Sequence, residues 1–244
     1  MGGSDDPRRR ELAANLDAVR RRIAVACAKT GRNPNDVTLI AVTKTWPAAD
    51  VVRLADLGVV DIGENRDQEA AAKATEVAAA GARVRWHFVG QLQRNKCRSV
   101  VTYADMVHSV DGIRLAQTLA EAAQRYRDAP LDVLVQVSID GNPNRGGAFS
   151  GSPDPDRDLD RVVATMATAD GLRLRGAMAI APLQWEAGHA YATLAGIAAR
   201  LRAEHPAASV LSAGMSGDIE PAIDYGATHV RIGSALLGNR PKLG

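Results

Sequence analysis

Aromatic side chains are scarce: 3 Trp, 4 Tyr and 2 Phe make up 4% of the 244 residues. A core must therefore rest on Ala, Val, Leu and Ile, and an aromatic surface that stacks nucleobases is disfavoured. Cysteine is nearly absent. Cys27 and Cys97 form no CxxC pair and no ligand cluster with the five histidines, which reads as two reduced structural thiols and no metal site. Neither sign of charge dominates, because 30 Lys and Arg face 28 Asp and Glu, so non-specific nucleic-acid binding is not expected. No apolar run approaches the roughly 20 residues that span a bilayer, and no apolar targeting region follows Met1 to Pro7. That Gly/Asp-rich start is expected to be disordered, and the protein to be soluble and cytoplasmic. A GxGxxG fingerprint after the first strand is also missing, which weakens an open dinucleotide-binding sheet.

What is present is a rhythm. Leu12, Leu16, Val19, Ile23 and Cys27 recur every three or four residues, predicting an amphipathic helix from Arg8 to Lys29 whose arginines, including Arg20-Arg21-Arg22, face solvent. Eight apolar strands follow: Val37 to Thr43, Val59 to Ile62, Val84 to Val89, Met106 to Val110, Asp132 to Ile139, Leu172 to Ile180, Val210 to Ala213 and His229 to Ile232. Helical stretches alternate with them, at Ala48–Leu57, Asp67–Ala80, Gln93–Val100, Gly112–Tyr126, Asp156–Ala169, Glu186–Glu204 and Asp218–Tyr225. Such alternation calls for a parallel sheet covered by helices. Eight units within about 200–250 residues suit one α/β domain, a (β/α)8 barrel with an extra N-terminal helix, over residues 8–240. The open doubly wound sheet is the alternative. One long irregular segment, Gly141 to Pro155, holds Gly146-Gly147, Gly151 and three prolines; it is a mobile flap or a disordered insertion.

In such barrels chemistry sits where strands run into helices. The seventh junction, Leu211-Ser212-Ala213-Gly214-Met215-Ser216-Gly217-Asp218, and the eighth, Arg231-Ile232-Gly233-Ser234-Ala235, are rich in glycine and serine. Exposed N–H groups and hydroxyls there suit a phosphate, although the same residues serve tight turns. Lys44 closes the otherwise apolar run Leu39-Ile40-Ala41-Val42-Thr43. A lysine held partly out of water loses proton affinity and can add to a carbonyl, whereas one in water is only a strand-end charge. In a closed barrel strand one pairs with strand eight, which sets this amine beside the phosphate turn. Pyridoxal 5′-phosphate or a phosphorylated ketose would satisfy both groups. Alternation allows Arg231 to point inward, where its guanidinium would keep a facing pyridine nitrogen unprotonated, or would serve an ordinary interior ion pair.

Six segments carry a family resemblance. They are Ala41-Val42-Thr43-Lys44-Thr45, Ile62-Gly63-Glu64-Asn65-Arg66, the run from Trp86 to Lys96, Leu174-Arg175-Gly176-Ala177-Met178, Leu211 to Asp218, and Val230 to Ala235. Together they resemble the YggS/PROSC family of pyridoxal phosphate homeostasis proteins. The resemblance implies a barrel like the N-terminal domain of alanine racemase, holding pyridoxal phosphate as an internal aldimine on Lys44. Ser212, Ser216, Gly233 and Ser234 would hold the phosphate, Arg231 would face the ring nitrogen, Asn65 and Met215 would line the ring, and His87 would stand in the pocket wall. The family departs from this sequence at Ala213, Arg145 and Tyr191, where larger, lysine and phenylalanine residues are usual; the first suggests looser ring packing. The resemblance also implies a monomer.

Two functions follow from this reading. One is a carrier that buffers pyridoxal phosphate and supplies apoenzymes dependent on it, without turnover of its own. The alternative is an enzyme such as a weak amino-acid racemase. Racemisation needs proton-transfer groups on both faces of the substrate, each contributing about 10²–10⁴-fold; Lys44 serves one face, and no second domain is expected after Gly244 to serve the other. A phosphosugar aldolase would want its lysine on a later strand, yet strand six ends Met178-Ala179-Ile180.

Overall fold

Continuous apolar runs demand two buried sheet faces, and a computed structural model, which describes residues 6–238, satisfies both by closing the sheet on itself. Strands β1 Thr38–Val42, β2 Asp61–Glu64, β3 Arg85–Phe88, β4 Met106–Val110, β5 Leu131–Gln136, β6 Leu172–Met178, β7 Val210–Ser212 and β8 His229–Ile232 are parallel and pair in chain order. β1 closes on β8 with Ile40 opposite Arg231. Helices α2 Ala48–Asp56, α3 Asp67–Ala79, α4 Cys97–Tyr103, α5 Ile113–Tyr126, α6 Leu159–Thr168, α7 Ala187–Glu204 and α8 Ile219–Asp224 cover the outside. The architecture is the (β/α)8 barrel that the strand count predicts.

The period of two along each strand divides the core. Val133, Val135, Leu174, Ala177, Leu211, Val230 and Ile232 join one large cluster with the helices, while Met106, Leu134, Met178 and Val210 pack separately on the opposite, inward face. That interior also holds polar side chains, with His87, His108 and Arg231 all buried. Strand β6 approaches β7 closely at Gly176, where a Cβ would stand 1.8 Å from the Val210 carbonyl oxygen.

Helix α1 runs Pro7–Lys29, with Asp6 as its N-cap accepting from the Arg8 and Arg9 amides. Asp6 and Pro7, which fall in the stretch expected to be disordered, are the cap and first residue of this helix, and residues 1–5 lie outside the described residues. Leu12, Leu16, Val19, Ile23 and Cys27 form the buried face, as their spacing requires. Arg22, however, is not simply a solvated charge. It forks onto Glu220 of α8 at 2.7 Å to each carboxylate oxygen and donates to the Ser216 carbonyl. Two further bonds, Arg8 to the Leu237 carbonyl and Asn15 to the Leu236 carbonyl, tie α1 to a short helix α9, Ser234–Leu237, that the strand–helix rhythm does not predict. The added helix therefore braces the two junctions that carry small residues. Helix α4 also begins later than its periodicity suggests, because Arg94–Lys96 form a 3-10 turn first.

The segment 141–155 is drawn together by Arg157, whose guanidinium donates to the Pro143, Arg145 and Gly147 carbonyls. Asp111 accepts from the Gly147 amide, and Val137 bridges Ala148. Among the described residues no helix is long and apolar enough to cross a membrane, and no group of three metal-ligating side chains occurs.

Candidate functional site

The carboxyl ends of the strands surround a cavity of about 860 Å³, within the roughly 300–1,000 Å³ typical of ligand sites. Lys44 reaches it from beyond β1, Asn65 from beyond β2, Met215 and Ser216 from the β7 junction, Arg231 from β8, and Gly233 and Ser234 from the start of α9. Seven of the eight residues singled out from sequence thus meet in one space. β1 and β8 are paired neighbours, so the lysine and the small-residue turn share one rim. The Ser216 hydroxyl accepts from the Ala235 amide at 3.2 Å, which joins the β7 turn to α9.

Ser212 is the exception. It is wholly buried and absent from the cavity wall; its hydroxyl accepts from Arg231 Nη1 at 2.7 Å and stands 2.9 Å from His108 Nδ1. It lies inward at the last residue of β7, one layer beneath the turn, so it supports the arginine rather than reaching a ligand phosphate. His87 also departs from expectation. It is an interior residue of β3, with Nδ1 3.0 Å from His108 Nε2 and Nε2 2.9 Å from Asp61 Oδ1. Arg231, Ser212, His108, His87 and Asp61 consequently form one hydrogen-bonded chain from the cavity floor to the opposite end of the barrel. With both histidines neutral, a single set of tautomers satisfies it: Arg231 donates to Ser212, Ser212 to His108, His108 to His87, and His87 to the carboxylate.

Burial sets the electrostatics of this chain. It pushes Arg231 down to about 10, opposed by the nearby Tyr191 and Asp218, so the guanidinium stays charged at neutral pH. It pushes His108 well below the ordinary histidine value, helped by repulsion from the Arg231 charge and from any proton on His87 or His229. Arg231 also donates to the Ala179 carbonyl at 2.9 Å, which fixes the plane of the fork.

The rim around Lys44 is ordered by a second buried cluster. Glu64 Oε1 accepts from Thr43 Oγ1 and from Lys73 Nζ, each at 2.6 Å. Burial pushes the Glu64 carboxyl up, opposed by Lys73. Beyond β3, Gly90 permits a close approach: a Cβ there would stand 2.2 Å from the Asn65 carbonyl oxygen. Asn65 lines the cavity, while its Oδ1 is buried without a hydrogen-bond partner.

The departures from the family pattern acquire places. Ala213 packs in the helix-facing core rather than against the cavity, so its size does not loosen the ligand site. The Tyr191 hydroxyl donates to Asp218 Oδ2 at 2.6 Å, while Asp218 Oδ1 accepts from the Met215 amide. Arg145 pairs with Asp140 at 2.9 Å and donates to the Ile180 carbonyl. Three lining residues, Trp46, Gln136 and Ile180, escaped the sequence reading. Gln136 was legible only once β5 was known to stop there; reading the strand on to Ile139 moved the expected junction to Ser138.

Comparison with known proteins agrees with this geometry. Residues 14–241 match the family described as alanine racemase, N-terminal domain. The chain is 43% identical to a pyridoxal phosphate homeostasis protein of Mycobacterium bovis, over 96% of this chain and 94% of that one. It is 37% identical to a protein of the same name from Escherichia coli K12, over 94% and 97%. Among solved structures it resembles PipY of Synechococcus elongatus with PLP bound, with a TM-score of 0.78, 33% identity and coverage of 93% and 100%. An alanine racemase of Clostridium difficile shares the fold at a TM-score of 0.68 and 16% identity, with 58% of that chain covered. This chain therefore belongs to the alanine racemase N-terminal domain family and, within it, to the YggS/PROSC group of pyridoxal phosphate homeostasis proteins.

Proposed function

We propose that the rim cavity binds pyridoxal 5′-phosphate reversibly and that the protein, acting as a cytoplasmic monomer, buffers the cofactor and supplies it to apoenzymes. The observation that carries this reading is the convergence of Lys44, the Ser216/Gly233/Ser234 turn and the Arg231 side chain on one cavity. An amine, an anion cradle and a fixed cation are the three groups that an aldehyde, a phosphate and a pyridine nitrogen require. When bound, the cofactor supplies an aldehyde that bonds reversibly to a lysine amine.

Lys44 would provide that amine from the end of β1. Ser216, Gly233 and Ser234 would hold the phosphate through hydroxyl and backbone N–H groups. Arg231 would donate to the pyridine nitrogen and, unable to give up its proton there, keep the nitrogen unprotonated and the ring a poor electron sink. Asn65 and Met215 would line the ring. The described lining residues include no tyrosine, histidine or carboxylate. Proton exchange on both faces of an amino acid therefore lacks a second group, so we propose storage and transfer rather than racemisation.

The purified protein should be yellow, hold one pyridoxal phosphate per chain, and become fixed to it at Lys44 by borohydride. Lys44→Ala should bind without fixation. A colourless protein that takes up no added cofactor, or fixation at another lysine, would overturn the assignment. Delivery is tested by mixing the loaded protein with an apo-aminotransferase; reactivation no faster than spontaneous release leaves buffering and removes active transfer.

A further inference from the structure

Lys44 sits between two anchored residues. On one side, the Thr43 amide donates to the Gly63 carbonyl, its hydroxyl donates to Glu64, and its carbonyl accepts from Lys73 Nζ at 2.9 Å. On the other, the Thr45 amide donates to Glu69 Oε1, the same oxygen that lies 3.0 Å from Lys73 Nζ. Thr45 has φ +68° and is the one non-glycine residue with positive φ among the described residues. A β-branched residue rarely takes that conformation unless its surroundings impose it, and such strain concentrates at functional sites. Glu64 and Lys73 are 1% and 5% exposed, and Glu64 Oε2 has no partner. A buried ion pair with an orphaned oxygen is a poor source of stability, since apolar packing would serve as well or better. Its geometric effect is more specific. Glu64 belongs to β2, Lys73 and Glu69 to α3; Lys73 and Glu69 bond the two peptide units that flank Lys44, and Glu64 holds the Thr43 hydroxyl and Lys73.

We infer that Glu64, Lys73 and Glu69 form a clamp that holds the Thr43–Thr45 backbone in its left-handed turn and thereby aims the Lys44 amine into the cavity. They are positioning residues: none of the three lines that cavity. Without the Glu69 acceptor, Thr45 relaxes toward negative φ and the direction of the preceding side chain changes. The inference rests on the proposed attachment of pyridoxal phosphate to Lys44, because the clamp is argued to set the rate of that bond.

Glu69 is the variant position of choice, since it is 27% exposed and its loss leaves the buried Glu64–Lys73 pair intact. Glu69→Ala should slow covalent uptake of added pyridoxal phosphate about 10- to 100-fold, the cost of misplacing a reacting group by about an ångström. Its non-covalent affinity for pyridoxine 5′-phosphate, which has no aldehyde, should stay within about twofold, because the phosphate turn and Arg231 are untouched. Glu69→Gln keeps an oxygen that can accept from the Thr45 amide and should recover most of the rate. Urea unfolding at matched conditions identifies any variant that has lost its fold. Normal uptake by a folded Glu69→Ala, or equal loss of rate and analogue affinity, would overturn the clamp. Failure of the parent protein to take up pyridoxal phosphate at all would instead overturn the proposed function.

Discussion

Acid should unfold this protein earlier than its carboxylates alone would dictate, because two interior histidines must stay neutral. His108 is fully buried with both ring nitrogens engaged, so a proton would place a second cation one hydroxyl away from Arg231. His229 is driven to about 4, chiefly by burial and then by the charge of His87. In the unfolded chain each would titrate near 6.5. Between about 6.5 and 4 the unfolded state therefore binds more protons than the native state, and stability rises with pH across that window. His108, pushed well below the ordinary value by burial, loses stability in this direction as pH falls from 7 to 5, at a slope of up to roughly 1.4 kcal/mol per pH unit for each such histidine. His229 is partly accessible, so about 1–2 kcal/mol is the fitting figure for it. Glu64 and Asp111 oppose this, since burial raises both and their native forms gain protons first as pH falls. Asp61, held below the usual carboxylate value by His87 and Arg85 against the effect of burial, adds its own loss only at still lower pH. Urea unfolding of cofactor-free protein at pH 7 and pH 5 measures the sum, and His229→Gln isolates one contribution. The parent should lose about 1–2 kcal/mol more than the variant between the two pH values. Equal losses would refute the claim that His229 is held neutral.

Ser212→Ala should cost about 1–3 kcal/mol in unfolding free energy, because it strips Arg231 and His108 of a buried partner; pyridoxal phosphate should bind more weakly while borohydride fixation at Lys44 persists. An unchanged midpoint and affinity would show that the interior chain does not support the arginine. Gly176→Ala should prevent folding or lower the midpoint severely, since its φ is +150° and the new methyl would collide with the Val210 carbonyl. Circular dichroism and gel filtration would detect a native-like variant and so contradict that close approach.

Period and composition alone determined much of this protein. Eight β-branched or apolar runs with seven helical stretches between them admit few closed solutions, and the inward position of Arg231 follows from a period of two. Lys44 and the serine–glycine turns were legible because strand ends can be located to within a residue or two, and chemistry in a barrel gathers there. Tertiary structure alone decided which of those residues touch the cavity. Ser212 and Ser216 look alike in the chain, yet one is sealed beneath Arg231 and the other forms the rim, because alternation turns Ser212 at the end of β7 into the barrel while Ser216 lies in the turn beyond it. Glu64, Lys73 and Glu69 carried no signal as a group. Helical and strand neighbours converge on the backbone around Lys44 only once α3 packs against β2, and burial then turns ordinary surface charges into a device that fixes geometry.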